Sequence, residues 1–386
     1  MSENKELSVL EKSLLENINK KFGKSNPMVR LSDSEYGTPR GWIDTGILAL
    51  NWLISGKFDG GYPVGRITEL DGDPGTGKSL LCQMAIVDPT IGLTVYFDTE
   101  AALNQEFLQF LGVDPSKILY EPIDTVEQLI EICQEVLDTI VMNKQTEKKV
   151  LMLIDSVALA STEKEMDPEA GSDMGYKARL LRKFFRVYAR KIEKYNIALL
   201  VTNHYTQKIG MVFGNPKTTT GGTALPYAAS VRIDLKIAKT DIADKKLESL
   251  GASSVTLKAK TEKNRCFSPK RKVTFVLDFE KGVHRYSGLF NILKEFGIAE
   301  KNGAWCKLPQ WSTEEKFYEK DFPKIAEENN LLPLIESLLT KKIKNVDIEL
   351  QAAIESEAIS EAEVNEETLD TIKSKKKRNK KLIIEN

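Results

Sequence analysis

Three stretches of the chain set phosphate-, metal- and water-handling side chains at the ends of apolar runs. Gly72-Asp73-Pro74-Gly75-Thr76-Gly77-Lys78-Ser79 fits GxxxxGK[ST] without a gap. It follows the strand-like run from Ile67 to Leu70 and precedes the helical run from Leu80 to Ala85, the strand–loop–helix setting that a phosphate-binding loop needs. Its glycines let successive N–H groups turn inward around phosphates, at the positive end of the next helix. In such a loop Lys78 reaches the β- and γ-phosphates of ATP, and the Ser79 hydroxyl ligates Mg²⁺. The second stretch, Val150 to Ile154, ends in Asp155-Ser156, a carboxylate delivered to the strand tip where α/β sheets bind ligands. Alone, Asp155 reads equally well as a helix cap; the phosphate loop upstream makes it a Mg²⁺ ligand. The third is Tyr96-Phe97-Asp98-Thr99-Glu100. Hydrolysis needs a group that orients or deprotonates water, and Glu100 is the candidate, although spacing alone favours a solvated loop glutamate.

The elements that would position these groups follow from the apolar pattern. The runs at Val95–Phe97, Val150–Ile154 and Ala198–Val201 are continuous enough to be buried on both faces, as in a parallel sheet covered by helices. Val231, Ile233, Leu235 and Ile237 alternate with polar residues, as do Val255, Leu257 and Ala259, and Val273 to Phe279 is also strand-like. These predict half-exposed antiparallel strands along one edge. Leu7, Leu10, Leu14, Ile18 and Phe22 lie on one face of an N-terminal helix, which packs on its own core or docks on a neighbour. From Gly288 the composition changes, with short helical patterns at Phe290–Phe296 and Phe317–Leu339. The tail holds nine acidic residues and no Lys or Arg between Asp347 and Asp370, then seven basic residues from Lys373 to Lys381, blocks that are usually solvated. The segments are thus an N-terminal helix and linker over 1–30, a core over 31–288, a small α/β domain over 289–345 and a charged tail over 346–386.

Composition bounds the rest. With 386 residues the chain can hold one large domain and appendages. No apolar run is long enough to span a membrane, and the polar start from Met1 to Glu6 predicts a cytoplasmic product. Cys82, Cys133, Cys266 and Cys306 are scattered and read as reduced thiols. A net charge of −1 leaves any nucleic-acid site to local clustering.

Two local features supply that clustering. Gly171-Ser172-Asp173-Met174-Gly175 leads into a helix with Leu180, Leu181, Phe184, Phe185, Tyr188 and Ile192 on one face. Arg179, Arg182, Lys183, Arg186 and Arg190 recur on another, which by itself is usually just a solvated face. The other feature runs from Ile209 to Gly222, where Ile209-Gly210-Met211-Val212-Phe213-Gly214-Asn215-Pro216 precedes Lys217-Thr218-Thr219-Thr220-Gly221-Gly222. Backbone donors, hydroxyls and exposed apolar wedges suit an extended nucleic-acid strand with separated bases.

Taken with the phosphate loop at 72–79, Tyr96 to Leu103 and Leu151 to Ser156, these motifs closely resemble the RecA family, over roughly residues 40–310 and in the family's order. The likeness is greatest to the UvsX recombinases of T-even-type bacteriophages. It implies an α/β fold: a RecA-type P-loop ATPase core of mainly parallel sheet flanked by helices, with antiparallel edge strands, an N-terminal helix and a small C-terminal domain. It also implies a DNA-dependent ATPase that forms a filament on single-stranded DNA and exchanges strands with homologous double-stranded DNA. A recombination mediator and a single-strand-binding protein would be its partners, and the host-cell cytoplasm its location if phage-encoded. Glu100 corresponds to the water-activating glutamate. Asn104 and Phe107 fall at the adenine contacts, where the family often has Asp and Tyr. Met174, Arg179 and Arg186 of loop one would line the DNA channel, with Ile209, Gly221, Gly222 and Thr223 of loop two. Lys263 and Arg265 resemble the pair that reaches the neighbouring protomer's γ-phosphate, with Arg in place of Lys at the second position. His204, where relatives usually carry Gln, would touch the γ-phosphate at the start of loop two. The competing readings are a ring-shaped RecA-fold helicase and a single-strand coat that has lost hydrolysis. The first would bring a further N-terminal domain; intact Lys78, Glu100 and Asp155 argue against the second.

Overall fold

The computed structural model describes residues 9–23, 27–34, 37–101, 103–143, 148–167, 169, 175–207, 217–219, 222–238, 254–278 and 280–345. Met174, Ile209, Gly221 and the charged tail lie outside them. The chain divides into one unit ending at Gly288 and another starting at Leu289.

In the first unit the strands are β1 (Trp42–Ile43), β2 (Tyr62–Pro63), β3 (Ile67–Gly72), β4 (Ile91–Asp98), β5 (Ile118–Pro122), β6 (Lys149–Asp155), β7 (Ile197–Asn203), β8 (Tyr205–Gln207), β9 (Lys217–Thr219), β10 (Val231–Ile237), β11 (Ser254–Asn264) and β12 (Lys272–Asp278). The helices are α1 (Val9–Phe22), α2 (Leu48–Ser55), α3 (Lys78–Met84), α4 (Gln105–Phe110), α5 (Val126–Met142), α6 (Glu163–Met166), α7 (Tyr176–Lys194) and α8 (Ala224–Ala228). One eight-stranded sheet carries the unit in the order β12-β11-β10-β3-β7-β6-β4-β5. From β10 to β5 the neighbours are parallel; β11 and β12 are antiparallel.

Sequence pattern explains the parallel core. All residues of β3 and β7 are buried, so each strand needs helical cover on both faces. On one face α5 and α7 supply it. Thr125 caps α5 by accepting the Gln128 N–H, and Val126, Leu129, Cys133, Leu137 and Ile140 point inward. α7 buries Leu181, Phe184, Phe185, Tyr188 and Ile192. Each such side chain contributes roughly 1.5–3 kcal/mol on leaving water. These meet Phe97, Met152, Ile154 and Leu199 from the sheet in one core.

β10 departs from its expected pairing. Its alternation predicts an antiparallel, half-exposed strand, yet it runs parallel to β3 and antiparallel to β11. The period of two reports which residues share a face, and the direction of a partner leaves no mark on it. On the alternate face Asp234 is only 3% exposed, Arg232 is half-buried and Lys236 is exposed.

The second unit has a helix at Leu289–Glu295 and the antiparallel strands β13 (Glu300–Asn302), β14 (Trp305–Lys307) and β15 (Phe317–Tyr318). Helices follow at Phe322–Glu328 and 332–345, so the helical pattern expected from Phe317 begins only after a short strand. Phe290, Phe317 and Phe322 form its aromatic centre, with ring centroids 5.4–5.9 Å apart. Among the described residues no helix is long and apolar enough to cross a membrane. The four cysteines are free thiols.

α1 leaves its apolar side uncovered, with Leu10 69% and Phe22 67% exposed. A chain lacking residues 1–22 should therefore keep its main thermal transition within a few degrees of the full chain, because little apolar burial is lost. Calorimetry checks this, and a collapse of the transition would place the helix within the core.

Candidate nucleotide site and nucleic-acid interface

Because β3, β7, β6 and β4 run parallel, their C-terminal ends bring the three chemical stretches to one edge of the sheet. Gly72 closes β3, and the phosphate loop turns into α3 through Gly77, which has φ +70°. A Cβ at Gly77 would stand 2.4 Å from Leu277 Cδ2, so both conformation and space require glycine. The Lys78 ammonium folds back to donate to the Gly72 and Asp73 carbonyls, each at 3.1 Å. Burial pushes the Lys78 amine down, and Glu100, Asp155, Asp73 and Asp71 act in the opposite sense.

Asp155 ends β6 and is buried. Thr202 Oγ1 donates to its Oδ1 at 2.5 Å and the Tyr96 hydroxyl to its Oδ2 at 2.7 Å. Burial raises the Asp155 pKa, while the bonds from Thr202, Tyr96 and Ser79 pull it down. Ser79 and Asp155 therefore meet as hydroxyl and carboxylate beside the loop. That pair fits a small hard cation that takes its other ligands from phosphate oxygens and water.

Glu100 stands one turn beyond β4. Asp98 fixes that turn: its carboxylate accepts the Glu100 and Leu103 N–H groups at 3.0 and 3.2 Å. Ser156 Oγ donates to Glu100 Oε1 at 2.5 Å, and His204 Nε2 lies 3.0 Å from the same oxygen. Hydrogen bonding from His204 is the main reason the Glu100 carboxyl is held below its usual range; desolvation opposes it, and Ser156 and Lys78 assist. On the far side of the ring, His204 Nδ1 faces Lys78 Nζ at 3.5 Å. These neighbours select the tautomer: Nε2–H donates to the carboxylate, and Nδ1 presents its lone pair to the ammonium. His204 thereby stands between the phosphate-loop lysine and the carboxylate.

The other expected residues divide. Asn104 caps α4 by accepting the Phe107 N–H at 3.1 Å, so its side-chain oxygen is occupied locally. Arg179 and Arg186 are exposed on α7. Gly222 and Thr223 enter α8; a Cβ on Gly222, at φ +74°, would meet Ala178 Cβ of α7 at 3.3 Å. A cleft of about 670 Å³ runs between α7 and α8, with Arg66, Arg182, Arg186, Arg190, Thr223 and Arg265 in its lining. Arg265 thus shares a cleft with the α7 arginines. Lys263 instead donates to the Pro226 and Tyr227 carbonyls, both at 2.9 Å. Burial, with Arg265 and Arg232 nearby, pushes its amine down to about 8.

Sequence reasoning missed the supports. Ser156 and Thr202 follow strand residues already singled out, and Thr202 comes one step past the Ile154–Val201 register pair; a strand alignment of β6 and β7 would have found it. Arg66 carried no signal, because it lies more than a hundred residues from α7.

Residues 9–284 match the RecA N-terminal domain family. The protein RecA of Francisella tularensis subsp. tularensis (strain WY96-3418) is 33% identical over 344 residues, covering 87% of this chain and 91% of that protein. RecA of subsp. novicida (strain U112) is 33% identical over 317 residues, 80% of this chain and 84% of that protein. The chain belongs to the RecA family. It is a RecA-type recombinase and a DNA-dependent ATPase, and the matches give no support to the helicase reading. In this RecA core, the phosphate loop, Asp155, Glu100 and His204 form one contiguous set of contacts.

Replacing Thr202 by Val removes a donor from a buried carboxylate and should cost about 1–3 kcal/mol at neutral pH. Because Thr202 lowers the pKa of folded Asp155, its contribution is present above that pKa and is lost as the pH falls through it. Urea titrations should show the deficit shrinking toward acid; a deficit that does not vary with pH would detach Thr202 from the charge.

Proposed function

We propose that this chain is the strand-exchange recombinase of a T-even-type bacteriophage, of the UvsX kind. It would polymerise on single-stranded DNA in the host cytoplasm with ATP and Mg²⁺, assisted by a mediator and a single-strand-binding protein. The motif order and the loop from Gly210 to Gly222 support the RecA-type reading, and the phage assignment rests on the resemblance to the UvsX recombinases alone. One observation carries the mechanism: His204 sits 3.0 Å from Glu100 and 3.5 Å from Lys78, at the root of loop two.

In this reading Lys78 leaves its two carbonyl partners to bind the β- and γ-phosphates, and loop N–H groups hold the remaining oxygens. Ser79 and Asp155 would hold Mg²⁺, which offsets phosphate charge when bound. Glu100 stays a carboxylate at neutral pH. Such a carboxylate is a weak base, so its work is to accept a hydrogen bond from the attacking water and orient it. Both present donors, Ser156 and His204, use Oε1, and the water would take Oε2. Lys263 and Arg265 would act across a protomer interface, and Asn104 and Phe107 beside adenine. Met174, Arg179, Arg186, Ile209, Gly221, Gly222 and Thr223 would contact DNA. α1, with its apolar side uncovered, would dock on the neighbour in the filament.

Glu100→Gln should assemble on single-stranded DNA with ATP but hydrolyse it about 10²–10⁴-fold more slowly. ATPase assays with and without DNA, alongside filament imaging and strand exchange, test this. If the filament fails to form, Glu100 has a structural role; if turnover is unchanged, it does not handle water.

His204→Ala should keep ATP binding but lose most of the difference in DNA affinity between ATP and ADP. His204→Gln should restore it, because an amide can donate to Glu100 and accept from Lys78 in the same way. A full ATP-versus-ADP difference in His204→Ala would mean that coupling runs elsewhere.

A further inference from the structure

The hydrolytic groups leave unused a buried acidic cluster beneath the phosphate loop. Glu69 and Asp71 alternate along β3 to the same face and are 0% and 1% exposed. The neighbouring β10 brings one guanidinium to both: Arg232 Nε lies 2.5 Å from Glu69 Oε2, and Nη2 lies 2.7 Å from Asp71 Oδ2. Asn203, at the end of β7, donates its amide to Glu69 Oε1 at 3.0 Å and accepts the His204 N–H on Oδ1 at 2.9 Å. Glu69 therefore has a donor on each oxygen. Asp71 Oδ1 is buried and has no donor among the described residues, although the two carboxyls are in hydrogen-bonding contact.

Two touching buried carboxylates cannot both ionise against a single guanidinium without a large cost. A proton on Asp71, donated to Glu69, removes the surplus charge and turns a repulsive contact into a hydrogen bond. We infer that Asp71 works as a neutral carboxylic acid, a positioning residue whose shared proton steadies Glu69 and Asn203 and so fixes His204 at the phosphate end of the sheet. Burial, first, and then Glu69 push the Asp71 pKa to about 9, against the pull of Arg232. The other charged or titratable groups around it are Asp234 on β10, Tyr205 on β8, Lys78 on α3 and Lys263 on β11.

The role of His204 in this inference rests on the proposed coupling; the shared proton does not, and the two are read separately. The first measurement is the melting temperature of the full chain and of Asp71→Asn between pH 6 and 10. A folded pKa above the unfolded one means that wild-type stability falls as the pH rises from the ordinary aspartate range to about 9. The advantage of Asp71→Asn should therefore grow with pH and level off near 9. Lys263 titrates in both proteins, so the difference isolates Asp71. Parallel profiles would overturn the shared proton. The second measurement is DNA affinity with ATP and with ADP at pH 7.5. Asp71→Asn, whose amide can donate to Glu69 and accept from Arg232, should keep the difference within about twofold, and Asp71→Leu should lose about tenfold, the worth of one hydrogen bond. Loss in Asp71→Asn as large as in Asp71→Leu, or no loss in either, would overturn the positioning role. Should Asp71→Leu not fold, Asp71→Ala takes its place in the same comparison.

Discussion

Everything in the site depends on the shared direction of β3, β7, β6 and β4. In a parallel sheet all strand ends of one kind lie on one edge, and here that edge collects Gly72, Asn203, Asp155 and Asp98 from segments far apart in sequence. Reversing any one strand would carry its chemical residue to the opposite rim. The helices that cover the sheet, and the core they bury, serve first to keep that alignment.

Concentrating charge at a dry edge is costly, and the structure offsets it pair by pair. The ammonium of Lys78 faces carbonyl oxygens, Asp155 is held by the hydroxyls of Thr202, Tyr96 and Ser79, and Glu100 is held by a serine and a histidine. Neutral dipoles supply most of these contacts. Neutral partners steady a charge without cancelling it.

The sequence revealed these features unequally. The phosphate loop was legible because its chemistry is local: eight consecutive residues carry the turn, the donors and the lysine. The parallel core was legible from long apolar runs such as Val150 to Ile154. The pairing direction of β10 was not, since alternation is the same for either partner. Glu69 and Asp71 were hidden for a related reason. Their alternation reads as one wet face, but Arg232, Asn203 and Tyr205 cover it from strands more than a hundred and thirty residues away. Glu100 was legible as a candidate but not its supports, because His204 and Ser156 adjoin it only once the sheet has formed.

The contact between Gly222 and Ala178 has a consequence for how the molecule meets a polymer. Gly222 stands just before α8, and Ala178 lies in the first turn of α7, at the roots of the two loops proposed to meet DNA. With only a hydrogen at Gly222 the two segments lie close; an added methyl would meet Ala178 Cβ at 3.3 Å, tighter than ordinary van der Waals contact. The packing of α8 on α7 limits their separation. In the proposed filament, a strand lying across both segments would meet the same pairing of α8 with α7 in every subunit.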